Sequence, residues 1–441
     1  MRICVINEYF HPDNTGGTGT VLSELARTLT DRYCDVSIDV ITSHNLYRGD
    51  RLLEPEEDWR GIGILRLATP KPNGLSMKAR LAANLHFSSL TLTTLLSKPK
   101  YDVVLIGTAP PTVTISAEWY RKLKGVPYVY IVYDLEPDRA VVTNLLSANH
   151  PAVRILRHYQ KGWLHRSHSI VVLGRCMRDY VSTHYKLLQS KVHVIPIGAD
   201  PERIVPASHD THFRRKHGIS GFVVQYSGNF GRYHDFDTIL DAAAHLRDTQ
   251  PGVTFLLVGD GAQKAHIQQR VADDNLTNVR MFPFVPENEY NDLLASADVC
   301  LVTLEPGMEG LCVPSKFYTI MAAGRPTIAM MSAECEVARI LDEDNCGIRV
   351  PVGDPGQLSA AIDHMREDPQ MRASMGANAR TSLVKRFSVE AIADLYYHVL
   401  CKAAGHTPQH LAISSEGSPY GSLDQDEADC NLLSRQGDAI A

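Results

Sequence analysis

The chain alternates short apolar runs with helix-length amphipathic segments almost from end to end, and it does so in two series. The first contains "RICVINEYF", "VSIDVITS", "YDVVLIGT", "YVYIVYDL", "HSIVVLG" and "KVHVIPIG". The second contains "GFVVQYSG", "VTFLLVGDG", "VRMFPFV", "VCLVTL" and "PTIAMM". Short buried strands separated by helices imply parallel sheets built from βαβ units. Between the series, "VIPIGADPERIVPASHD" replaces apolar residues with Gly, Pro and charge. The expected fold class is therefore α/β, with two doubly wound domains over 1–200 and 201–387. A helix over 388–404 follows. The remainder, 405–441, is polar, acidic and aperiodic, and reads as a disordered tail.

Several classes are excluded early. No run approaches the ~20 apolar residues of a membrane span, and the opening strand is too brief for a signal peptide. A cytoplasmic placement follows as the expectation. The nine cysteines are odd in number and scattered, so neither a disulfide frame nor a zinc site is indicated. A net charge of -6 argues against nucleic acid as partner. One local excess stands out. Trp59 to Tyr101 holds no Asp or Glu, but it holds Arg60, Arg66, Lys71, Lys78, Arg80, Lys98 and Lys100. Within it, residues 76–97 form a helix with Met77, Leu81, Leu85 and Leu92 on one side, a candidate for peripheral contact with anionic membrane. A domain helix packed on its sheet, with solvated lysines, would carry the same residues.

Ligands of open α/β sheets sit beyond the carboxyl ends of the strands, and three turns there carry phosphate-binding character. In "NEYFHPDNTGGTGTVLSEL", Gly16, Gly17 and Gly19 let backbone approach a ligand at the start of a helix. A dinucleotide fingerprint fails here, because its third glycine falls on Leu22. In "YSGNFGRYHDFDTILDAA", Asn229 and Gly231 shape the turn and Arg232 can grip phosphate oxygens bidentately. In "GLCVPSKFYTIMAAGRP", Pro314 opens a helix, Ser315 and Lys316 stand at its start, and Gly324 caps its end. An anion at that start would meet the Lys316 charge. An ordinary glycine turn, a solvated arginine or a capped surface helix would each explain one turn alone.

Together with "VIPIGAD" and "LLVGDG", these stretches make the chain resemble the retaining glycosyltransferases of family 4 over roughly residues 1 to 403. "APP", "DLEP" and "PSKFY" give it a closer likeness to bacterial enzymes of surface-polysaccharide and O-antigen assembly. The resemblance implies a GT-B fold, two Rossmann-like domains facing a cleft, with the acceptor on the N-terminal domain and the nucleotide-sugar donor on the C-terminal one. It implies a nucleotide-diphosphate sugar as substrate, a glycan or lipid-linked acceptor, and retention of anomeric configuration. No cofactor is expected, and the absence of an Asp-x-Asp motif at a strand end suggests no metal. A 2-epimerase of the same fold and a silent partner subunit remain alternative functions.

The same likeness assigns residues. Gly16, Gly17, Asn229, Gly231, Arg232, Ser315, Lys316 and Thr319 are expected around the donor, with base reading near Phe284 and Val285. Two family glutamates fall on Leu311 and Thr319, which transfers the sugar-contact role to Glu309, with Glu305 as its rival. The family's Arg and Lys after the first C-domain strand fall on Asn229 and His234, leaving Arg232 and Lys316 to neutralise the diphosphate. The family's histidine falls on Tyr133. Asp134 beside it is the candidate for acceptor positioning or proton transfer, although an N-cap or turn aspartate would look the same.

Overall fold

The computed structural model describes residues 1–13, 17–47, 49–71 and 76–408. These form two compact units, each with its own sheet. The first comprises Met1–Tyr133, His158–Ile195 and the chain from Ile392; the second comprises Asp134–Arg157 and Pro196–Ala391.

The first sheet has eight strands: β1 (Arg2–Ile6), β2 (Ser37–Ser43), β3 (Glu56–Trp59), β4 (Ile62–Leu67), β5 (Val103–Ile106), β6 (Tyr128–Val132), β7 (Ser169–Val172) and β8 (Val192–Val194). Their order is β3-β4-β2-β1-β5-β6-β7-β8. All neighbours run parallel except β3 and β4. Runs such as "YVYIV" and "VVLI" are buried at every position, as expected where helices cover both faces. The helix Gly17–Arg32 buries Leu22, Leu25, Ala26 and Leu29, the stripe read from the sequence.

Two details of this unit go beyond the sequence reading. The β3–β4 hairpin was not anticipated. Its first strand, "EEDW", is charged and half exposed, so it lacks the apolar signal. What makes it a strand is the two-residue turn, with Arg60 at φ 57° and Gly61 at φ 82°, the conformation that a tight hairpin requires. The helix Met77–Ser97 packs by a face other than the leucine side singled out in the sequence. Ala83, Phe87, Thr91 and Leu95 are buried, while Leu81 and Leu85 stand 51% and 45% exposed. Hydroxyls direct this choice: Ser88 Oγ donates to Thr112 Oγ1 at 2.8 Å, and Ser116 Oγ donates to Ser88 O at 2.6 Å.

The second sheet comprises β9 (Phe222–Asn229), β10 (Val253–Asp260), β11 (Val279–Phe282), β12 (Val299–Thr303), β13 (Thr327–Met330) and β14 (Gly347–Val350). It is parallel throughout in the order β11-β10-β9-β12-β13-β14. The core beneath it gathers Val224, Tyr226, Phe230, Phe236, Ile239, Phe255, Leu257, Ile328 and Ile362. Among the parallel strands of each sheet the order reverses once, between β1 and β5 and between β9 and β12. Such reversal points open the crevice where α/β sheets bind ligands.

The final helix, Val389–Ala404, is tied to the first unit by its later residues. Arg32 pairs bidentately with Asp394 at 3.0 Å, and the Tyr33 and Tyr397 rings stack 3.7 Å apart. The tail from residue 409 onward lies outside the described residues, as does Gly16.

Candidate nucleotide-sugar site

In the second unit the β9–β12 reversal point gathers the polar residues. β9 ends at Gly228 and Asn229, which pair in register with Gly259 and Asp260 of β10. Gly259 lies at φ 151°, and a Cβ there would stand 1.9 Å from Gly228 O. Gly261 follows at φ 154°, where a Cβ would meet Asn229 Oδ1 and Phe230 O at 2.6 Å. These glycines allow two strand ends and the Asn229 amide to converge in a space no side chain could share.

Lys316 reaches the same place from the start of the helix Lys316–Ala322. Its Nζ sits 3.5 Å over the centre of the Tyr226 ring and 3.2 Å from where a Gly228 Cβ would be. The nitrogen is buried and has no hydrogen-bond partner among the described residues. Loss of hydration, with no carboxylate to offset it, holds the amine well below the ordinary lysine range. An orphaned cation of this kind costs stability unless a ligand supplies its counter-charge. His234 stands close by. Its Nδ1–H donates to Thr303 O at 2.7 Å, which leaves Nε2 as an acceptor. Burial first, and Lys316 second, keep this imidazole neutral, well below its usual pKa.

The other expected donor residues divide. Arg232 is exposed near this edge and has no ion-pair partner among the described residues. Gly231 O accepts from Gln263 Nε2 at 2.6 Å, and a Cβ on Gly231 would press on Asn229, Tyr233 and His234. Ser315 is the exposed N-cap, and its side chain makes no capping bond. Thr319 is less available than expected, since its hydroxyl donates to Lys316 O at 2.8 Å and bonds Tyr290 Oη at 3.2 Å. Val285 packs on the cluster of Phe213, Val223, Leu256 and Val258, while Phe284 is exposed. In the first unit, Gly17 opens its helix with nothing near its Cβ direction.

Two of the acidic candidates, Asp134 and Glu309, are held by partners. Asp134 pairs with Arg139 at 3.0 Å and Glu136 with the same guanidinium at 2.6 Å, while Arg139 lies 5.7 Å over Tyr233. Burial outweighs Arg139 and raises the Asp134 carboxyl above its usual range. Glu309 Oε2 accepts from Gly307 N at 2.7 Å. Burial, reinforced by Asp235 and Asp237, raises Glu305. Leu311 is buried, and its carbonyl accepts from Leu135 N at 3.0 Å. The sequence reading overlooked Tyr226, Gln263 and Arg139. The continuous apolar run "FVVQYSG", buried on both faces up to Ser227, hid Tyr226 as a core residue, and it is one.

Two Rossmann-like units with a cationic strand-end site in the second define the GT-B glycosyltransferase plan. The family descriptions that match agree: "Glycosyl transferase 4-like domain" over residues 16–198 and "Glycosyl transferases group 1" over 210–382. A probable glycosyltransferase of Pseudomonas aeruginosa, WbjE, is 31% identical over 72% of this chain and 79% of its own length. The chain belongs to the group 1 glycosyl transferases. Among solved structures, sucrose-phosphate synthase of Thermosynechococcus elongatus has TM-score 0.73 at 17% identity, covering 91% of this chain and 100% of that one. WaaG, a glycosyltransferase involved in lipopolysaccharide biosynthesis, has TM-score 0.65 at 17% identity, covering 92% and 100%. Among the described residues, no helix is long and apolar enough to cross a membrane.

Proposed function

We propose that this chain is a retaining hexosyl- or N-acetylhexosaminyltransferase that moves a sugar from a nucleotide-diphosphate donor to a glycan or lipid-linked acceptor in surface-polysaccharide assembly. The observation that carries the reading is Lys316: a buried amine without a hydrogen-bond partner among the described residues, at a strand-end reversal point, is placed to be charged and paired by an anionic ligand. The donor diphosphate supplies it. Arg232 adds exposed positive charge, and Asn229 and Ser315 add hydrogen-bond donors. The bond from the anomeric carbon to the diphosphate oxygen breaks as positive charge grows on the ring. The acceptor oxygen bonds that carbon on the same face, and its proton passes to the departing diphosphate. Charge fixed in advance around the leaving group lowers this barrier. Asp134, held by Arg139, and Glu309 are the proposed positioning carboxylates for acceptor and sugar.

The test is a thermal-shift series with UDP-, GDP- and ADP-sugars, because a ligand bound only by the folded state raises stability by mass action. One nucleotide class should stabilise the wild type and leave Lys316→Met unmoved. Equal shifts in both proteins would sink the assignment of Lys316. Donor hydrolysis by the stabilising nucleotide sugar separates an active transferase from a binding subunit.

Peripheral contact with anionic membrane at the cytoplasmic face belongs to the same proposal. Its support is the pair Leu81 and Leu85, one helical turn apart and exposed, beside Lys78 and Arg80.

A further inference from the structure

The reversal point of the first sheet carries a second constellation. Glu8 stands two residues beyond the end of β1, and its backbone is anchored three times. Its N–H donates to Ala109 O at 2.8 Å, and its carbonyl accepts from Ser43 N at 3.0 Å and Thr42 Oγ1 at 3.0 Å. The side chain is thereby fixed at the carboxyl edge of β1 and β2, beside the loop after β5. The Tyr9 hydroxyl hydrogen-bonds its carboxyl, and Arg80, from the first turns of the helix Met77–Ser97, draws on it electrostatically. The Tyr9 ring meets Tyr47 edge to face, centroids 5.3 Å apart, and Tyr47 remains 40% exposed.

We propose that Glu8, Arg80 and Tyr47 form the acceptor-saccharide subsite, with Tyr47 as the platform for a pyranose face and the Glu8 carboxyl as hydrogen-bond partner of a ring hydroxyl. The proposal rests on the transferase reading and extends it to a residue set. A carboxylate recognises hydroxyl donors and repels phosphate, so an uncharged polyol fits it better than the diphosphate does. Aromatic side chains offer large apolar area with little flexibility, which suits the C–H face of a sugar. A half-buried carboxyl that, among the described residues, is drawn on by the Arg80 charge alone is costly to keep unless it serves a ligand. Burial, the largest influence, lifts it to about 7 against the pull of Arg80 and Tyr9.

The experiment uses the full chain and two measurements on each protein. Saturation-transfer NMR with methyl glucoside, galactoside, mannoside and rhamnoside reads the acceptor side. The thermal shift with the stabilising nucleotide reads the donor side. Wild type should transfer saturation to at least one glycoside. Glu8→Gln and Tyr47→Ala should each cut that signal roughly tenfold, the scale of one charge-assisted hydrogen bond, with the nucleotide shift unchanged. Glu8→Gln should melt no lower than wild type at pH 8, because it removes the cost of a buried charge; a purely structural glutamate would lower the melting temperature instead. Equal glycoside signals in all three proteins, or none in wild type, overturn the subsite. Failure of every nucleotide to shift any protein overturns the transferase reading itself, whatever the glycosides do.

Discussion

The Lys316 ammonium nitrogen lies 3.5 Å above the Tyr226 ring and has no hydrogen-bond acceptor among the described residues. The ring face is a favourable neighbour for a cation, but only a partial substitute for a counter-ion. Removing the amine while keeping the stem should therefore stabilise the ligand-free protein. Lys316→Met is expected to raise the melting temperature at pH 7 and to abolish stabilisation by nucleotide sugar. The pH dependence follows in sign. The amine is depressed in the fold, so the unfolded chain binds the extra proton between that depressed value and the ordinary 10.5. Wild-type stability should thus gain from this group as pH rises through the window, and the advantage of Lys316→Met should shrink toward pH 10.5. Calorimetric melts of both proteins from pH 7 to 10 decide it.

Gly261 offers a steric test of the same site. At φ 154° a Cβ would collide with Asn229 Oδ1 and Phe230 O at 2.6 Å; the amide would have to turn away, and the backbone carbonyl could retreat only by moving the chain just after β9. Gly261→Ala should cost on the order of 1–3 kcal/mol from backbone strain and displacement. It should also weaken nucleotide binding by moving Asn229. Unchanged affinity with lowered stability would remove Asn229 from the donor site.

The architecture was legible because buried parallel strands are continuous apolar words, and "YVYIV" and "VTFLLVGD" are read without ambiguity. The charged edge strand Glu56–Trp59 was not, since its strand character resides in the turn at Arg60 and Gly61. Lys316 was found because it follows Pro314 at a helix start. Its burial was not foreseeable: it comes from Tyr226, ninety positions earlier in the chain, and sequence order does not disclose which aromatic a lysine will cover. The packing face of the helix Met77–Ser97 was not legible for a related reason: Ala83 and Thr91 carry little hydrophobic signal, and hydroxyl contacts of Ser88 with Thr112 and Ser116 help to fix the rotation.

Arg139 holds Asp134 and Glu136 together, and its loss should be felt at Asp134 first. The guanidinium opposes the upward push of burial on that carboxyl. Arg139→Met should therefore raise the Asp134 pKa further, so that the acid limb of the transfer-rate profile moves to higher pH. Stability should fall by only about 1 kcal/mol, because all three side chains keep some access to water. An acid limb that stays in place would mean that Asp134 does not govern the rate.

Leu81 and Leu85 give the membrane proposal its separate test. Both are exposed, so replacing them leaves the buried face of Ala83, Phe87 and Leu95 intact. Each exposed leucine that enters the lipid boundary gains roughly 1.5–3 kcal/mol, and nearby lysine or arginine adds about 1 kcal/mol per residue on an anionic surface. The double change Leu81→Glu, Leu85→Glu removes the first contribution and opposes the second. Flotation with vesicles of phosphatidylglycerol and phosphatidylethanolamine should carry the wild type upward and leave the variant at the bottom. Raising the salt should weaken wild-type flotation, since the charge contribution is screened within about 10 Å at 0.1 M. The melting temperature should stay where it was, and a variant that still floats would show that this helix face does not meet the lipid.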